Sequence, residues 1–258
     1  MKKPKLTVVS SSHYFKLVYR SILFTAFLVM YIRWKIKGIT FVFNNQRAEH
    51  YGILPDLVWL VFIIEMILRF FPSATESPGC QKQFARNYSP TGRTDVVLHD
   101  NNAAIIVLFV WIILNLIFGA LYMSHVLDDG FMLLLCLAYS VCDMICILFF
   151  CPFQTWFLKN KCCVTCRIYN WDYAMMFTPL FFIKSTFSWT LLGAALCLLI
   201  RWEVTVWRYP ERFSENTNRY LDCKNCTEKL CAHKTQLARF RITLKEHAAA
   251  SINRILKK

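Results

Sequence analysis

The residues best equipped for chemistry in this 258-residue chain are its twelve cysteines. Cys223, Cys226 and Cys231 lie in CKNCTEKLCAH, which closes on His233. A C-x2-C turn lets two thiolates converge on one ion while the backbone wraps it, so this run offers four candidate metal ligands. A second group, Cys162, Cys163 and Cys166 in CCVTC, repeats that turn between Cys163 and Cys166. Cys80, in GCQKQF, or Cys151 would complete it as a cofactor-binding set. Sulfur-rich tetrahedral sites suit zinc and iron–sulfur centres alike, and the spacing decides between neither. A c-type haem site is excluded, because Cys226 is followed by Thr227 rather than His. Disulfides would require an oxidising compartment, against which the surrounding positive charge argues.

A second kind of chemistry needs ionisable groups inside apolar segments, where a charge is costly and a functional role is the default reading. Glu65 has Arg69 four residues on, the spacing of a satisfied helical pair. Asp143 has no such neighbour, and shares a helix face with Cys136 and Cys146. Together with Cys142 these residues could form a soft-metal or proton relay. The structural alternative makes the cysteines small hydrophobes and bonds Asp143 to Lys184. The six histidines fall at or beyond the ends of the apolar runs, so a bis-histidine haem within them is not expected.

These side chains need a frame, and the composition supplies one. Hydrophobic residues make up 56% of the chain and charged residues only 18%, against about 25% charged in soluble domains. The apolar residues come in blocks: Leu17–Ile32, Ile53–Phe71, Ala103–Met123, Phe131–Cys151 and Tyr173–Ile200. A bilayer core needs roughly 20 apolar residues in a helix, and lipid offers backbone groups no partners, so the blocks must be helical. The expected fold is an all-α polytopic membrane bundle with four to six embedded segments (1–207), followed by a cytoplasmic cysteine-rich tail with an amphipathic basic helix (208–258). MKKPK and the following apolar run lack a small-residue cleavage site, so an uncleaved first helix is expected.

The net charge of +14 is read as topogenic rather than as a nucleic-acid signal. Five single crossings would divide the loop lysines and arginines 11 to 8, too even to orient the chain. If the last block makes no net crossing, the division becomes 15 to 4, with both ends cytoplasmic. Pro179 and Lys184 interrupt that block and favour a hairpin over one kinked span. A plasma (inner) membrane location follows as an expectation. Trp34, Trp171, Trp202 and Trp207 flank the blocks and read as interfacial anchors.

Glycine-rich nucleotide loops, H-E-x-x-H and G-x-S-x-G are all absent. The expected function is electron transfer or metal-dependent redox chemistry at the membrane, with a lipid bilayer and a redox or membrane-protein partner. The alternatives are a transporter for a soft metal ion or proton-coupled solute, using Asp143, Cys142, Cys146 and Glu65, and a zinc-stabilised scaffold.

Overall fold

The computed structural model describes residues 7–39, 53–98, 101–160 and 162–226. Within them the protein is helical, with no strand beyond one isolated bridge between Pro90 and Asn218. Seven α-helices follow in order: α1 (Val8–Ile36), α2 (Leu54–Arg69), the single turn α3 (Pro78–Gln81), α4 (Asn101–Met123), α5 (Asp129–Leu148), α6 (Asp172–Phe177) and α7 (Thr186–Arg208). Four of these, α1, α4, α5 and α7, are long and apolar enough to cross a membrane, consistent with an integral membrane protein. At 1.5 Å per residue the 16 residues of α2 reach about 24 Å, short of a bilayer core.

Local sequence sets the helix ends. Thr7 caps α1 by accepting from the Ser10 amide. Asp128 caps α5 through the Phe131 amide and also meets Lys35 at 2.6 Å and the Tyr31 hydroxyl at 3.1 Å. One carboxylate therefore fixes the start of α5 against the end of α1. Proline occupies the first turn of α2 and of α3, where its missing N–H costs nothing.

The last apolar block is a hairpin. Pro179 sits in the first turn of a 3-10 segment, Thr178–Phe182, that continues α6. Ile183 and Ser185 are extended on either side of Lys184, and α7 then runs back. At the open end Arg167 pairs with Glu203, Trp171 Nε1 donates to Glu203 at 2.6 Å, and Trp202 Nε1 donates to the Arg167 carbonyl at 3.0 Å. Residues 167 and 203 thus lie side by side, and Lys184 is exposed at the bend. The block runs on to Arg208, eight residues beyond the apolar boundary.

The main core joins α1, α2, α5, α6 and α7 around Phe27, Phe62, Leu137, Phe177 and Leu191. α4 stands apart. It buries only Ala103, Ala104, Val107, Asn115 and Gly119, while Ile105, Phe109, Ile113 and Leu116 on its other faces are exposed. So large an exposed apolar surface is consistent with contact to lipid.

A folded layer covers one end of the bundle. GCQKQF, from Gly79 to Phe84, is buried throughout. Residues 209–226 pack there too: the Arg219 amide donates to the Ser89 carbonyl at 2.8 Å and the Thr91 amide to the Thr217 carbonyl at 3.1 Å. Three of the four tryptophans expected at an interface are packed inside the protein. Trp34, Trp171 and Trp202 are buried, and only Trp207 is exposed. The expected amphipathic helix lies outside the described residues.

Candidate functional site

The centre of the polar interior is Arg20, fully buried on α1. Its guanidinium meets Glu65 of α2 at 2.7 Å and Asp143 of α5 at 3.1 Å, and also donates to the Ser140 carbonyl at 3.1 Å. The rings of Phe62 and Tyr173 lie 5.5 and 5.9 Å from it. Tyr19 and Tyr173 both donate to Glu65. A buried cation is costly unless compensated, and Glu65, Asp143 and the Ser140 carbonyl compensate its two terminal nitrogens, while Nε has no hydrogen-bond partner among the described residues.

Two expected pairings are corrected here. Arg69 does not close on Glu65. It turns to Asp172 at 3.1 Å and Asn170 at 2.9 Å, with Glu76 at 3.6 Å. Helical spacing permits the Glu65–Arg69 pair, but each side chain finds a partner on another segment. Asp143 does not bond Lys184, which is exposed at the hairpin bend, whereas Asp143 faces Arg20. Arg20 lies near the start of an apolar run and carries no local pattern, so sequence reasoning gave it no partner.

Beside this network, between α4 and α5, lies a cavity of about 300 Å³, open on one side. Five cysteines line it: Cys142 and Cys146 from α5, Cys151 just beyond that helix, and Cys163 and Cys166 from the CCVTC loop. Asp143 and Asp172 reach it from the ion-pair network. Trp111, Tyr139 and Phe153 build an aromatic wall, with ring centroids 4.6 Å apart for Trp111–Tyr139 and 6.1 Å for Trp111–Phe153. Parts of two candidate groups from the sequence therefore share one wall: Cys142, Asp143 and Cys146 of the intramembrane set, without Glu65 and Lys184, and Cys151, Cys163 and Cys166 of the CCVTC set.

The thiols are held by local structure. α5 ends at Leu148, and after Pro152 the chain makes one π-helical turn, Phe153–Phe157. That turn directs Gln154 inward, where its Nε2 donates to the Asn160 carbonyl at 2.9 Å and its Oε1 accepts from Cys163 Sγ at 3.4 Å. The Gln154 amide donates to Cys151 Sγ at 3.4 Å. Cys151 in turn lies within hydrogen-bonding reach of Cys146. Burial is the main cause that pushes the Cys166 thiol up to about 12, so it is protonated at neutral pH.

The remaining candidates lie elsewhere. Cys80, within α3, is buried against Gln83 at 3.2 Å and Asn170 at 3.7 Å, and burial raises its pKa. Cys162 borders the same loop without lining the cavity. Cys223 is exposed and Cys226 half-buried, whereas Cys231 and His233 lie outside the described residues. Among the described residues no three His, Cys, Asp or Glu side chains converge tightly enough to hold an ion.

The capping layer holds one further group absent from the sequence reading. Lys82 is buried, donates to the Val164 and Cys166 carbonyls at 2.9 Å each, and lies 5.2 Å from the Trp202 ring. It thereby ties GCQKQF to CCVTC. Burial lowers its pKa to about 8. No protein-family model, curated protein or solved structure matches this chain.

Proposed function

We propose that this is an integral protein of a plasma (inner) membrane that transfers electrons through thiols gathered at the cytoplasmic end of its bundle. The observation that carries the reading is the convergence of five cysteines, from three separate stretches of chain, on one cavity beside a buried ion-pair network. Cysteine thiols are the side chains here that exchange electrons reversibly, and two of them are in contact. The hairpin supports the orientation, because it returns residue 203 to residue 167, the arrangement without net crossing that the 15-to-4 division of basic residues assumes.

A second reading, soft-metal binding or transport, draws support from the same wall. Thiols, the thioethers of Met175 and Met176, and the carboxylate of Asp143 form a donor set that suits soft cations. The tail set Cys223, Cys226, Cys231 and His233 remains a candidate zinc or iron–sulfur ligand group on this reading.

Elemental analysis and visible spectroscopy of anaerobically purified protein decide between them. Electron transfer by thiols alone expects metal-free protein whose cysteines oxidise reversibly in pairs. Stoichiometric metal lost in Cys146→Ser/Cys151→Ser favours the cavity as a metal site. Metal lost only in Cys223→Ser/Cys226→Ser places it in the tail.

A further inference from the structure

We propose, resting on the electron-transfer reading, that the cavity takes the ring of a fully substituted quinone from the bilayer, with the Cys146–Cys151 dithiol as its two-electron partner. The lining suits such a ring. Trp111, Tyr139 and Phe153 offer flat apolar faces, and the volume falls at the lower end of the roughly 300–1,000 Å³ of small-molecule pockets. A headgroup fits that space, and an isoprenoid-type tail would stay in lipid.

The entrance lies at membrane depth. Cys142 lines the cavity and is exposed, and it stands six residues before the end of α5 on a helix apolar enough to span. α4, the other flank, leans chiefly on the 3-10 segment and the π turn, so its contact with α5 leaves room for the cavity. An apolar carrier would therefore enter from the lipid side without crossing water.

Polar groups stand ready for both redox states of the ring. The Tyr139 hydroxyl and Asp172 Oδ1 are buried without a hydrogen-bond partner among the described residues, and both residues line the cavity. A tyrosine hydroxyl donates to a quinone carbonyl, and a carboxylate oxygen accepts from a hydroquinone hydroxyl. The other oxygen of Asp172 is held by Arg69 at 3.1 Å, which fixes the carboxylate in place.

The step balances within the pair. Cys146 and Cys151 each lose a proton and together give up two electrons as their S–S bond forms. The quinone takes both electrons and both protons, and its two carbonyls become hydroxyls. Closing the bond requires the sulfurs to approach from hydrogen-bonding range to about 2.05 Å. The intervening chain can give, because Phe149 has already left helical geometry at φ −120°, ψ −67°.

The experiment incubates full-length, pre-reduced protein in detergent micelles, without oxygen, with a decyl-substituted dimethoxy-methyl-benzoquinone, whose blocked ring resists thiol addition. Expected are one hydroquinone per chain by ultraviolet absorbance and one new Cys146–Cys151 disulfide by peptide mass. Cys146→Ser and Cys151→Ser should abolish both signals, and Cys197→Ser, on α7 and outside the cavity lining, should retain them. A disulfide formed with diamide but not with the quinone overturns the quinone assignment and leaves electron transfer standing. A quinone–cysteine adduct in place of the disulfide also overturns it. A Cys146–Cys151 pair that neither oxidant joins removes both proposals.

Discussion

Arg20 on α1 and Asp143 on α5, 123 positions apart in the chain, meet at 3.1 Å inside the bundle. Glu65 of α2 completes the pair into a triad, so three helices share a single charge centre. Removing the cation alone leaves two acids in a largely dry site, which typically costs about 3–5 kcal/mol. Arg20→Met should therefore lower stability by that order in detergent unfolding assays. The triple change Arg20→Met/Glu65→Gln/Asp143→Asn should recover most of the loss. A single variant as stable as wild type would show that the triad contributes nothing.

Lys82 supplies a pH signature. Its pKa is about 8 in the folded protein, below the usual lysine value near 10.4, because burial disfavours the ammonium. The unfolded chain therefore binds more protons than the folded one between those limits, and the contribution of Lys82 to stability rises with pH across that window. The Tm difference between wild type and Lys82→Met should thus shift in favour of wild type from pH 8 to pH 10. Cys80, Cys162, Cys166 and Arg167 surround the ammonium and remain in both proteins, so the difference isolates Lys82. A difference independent of pH would contradict the placement.

Glu76 responds in the opposite direction. Burial opposes its charge, but Arg69 and Lys16 outweigh that cost and lower its pKa. The stability it contributes is present above the ordinary carboxylate range and disappears as pH falls through the folded pKa. Glu76→Gln should therefore lose stability at neutral pH and flatten the acid limb of the Tm profile.

Close approach of two segments gives a steric test. A Cβ on Gly119 of α4 would lie 2.2 Å from the Phe182 ring. Gly119→Ala should destabilise by about 1–3 kcal/mol, the usual cost of overpacking, and Phe182→Leu in the same chain should relieve it. Gly193→Ala, where nothing lies within 4 Å, serves as the neutral comparison.

Orientation is open to labelling. In a cysteine-free background, single cysteines at Ser89 and Glu215 should react with an impermeant maleimide from one face of sealed vesicles, and a cysteine at Lys184 from the other. Reaction of Glu215→Cys and Lys184→Cys from the same face would break the hairpin topology.

Much of the frame was legible because lipid imposes a simple rule on composition. Ala103–Met123 coincides with α4 to within two residues, since an uncharged run of that length has one outcome in a bilayer. Pro179 and Lys184 marked the bend, because a proline and a charge interrupt both pattern and hydropathy. The partners of the charges were not legible. Local spacing paired Glu65 with Arg69 and gave Arg20, a charge near the start of the first apolar block, no partner, while the triad depends on how α1, α2 and α5 pack, which no periodicity encodes. The same holds for the cysteines. C-x2-C spacing singled out Cys163 and Cys166, but their company with Cys142, Cys146 and Cys151 comes from the π turn and from Gln154, neither of which has a sequence signature.

The way α4 is seated bears on the order of assembly. This helix rests mainly on Thr178–Phe182 and Phe153–Phe157, both made later than α4 as the chain is synthesised. When α4 leaves the ribosome its docking surface does not yet exist, and on the membrane reading proposed above it waits among lipid tails, as the most hydropathic of the four long helices is suited to do. Docking of α4 then becomes a late event in biogenesis, and the thiol-lined chamber forms only when that last wall arrives.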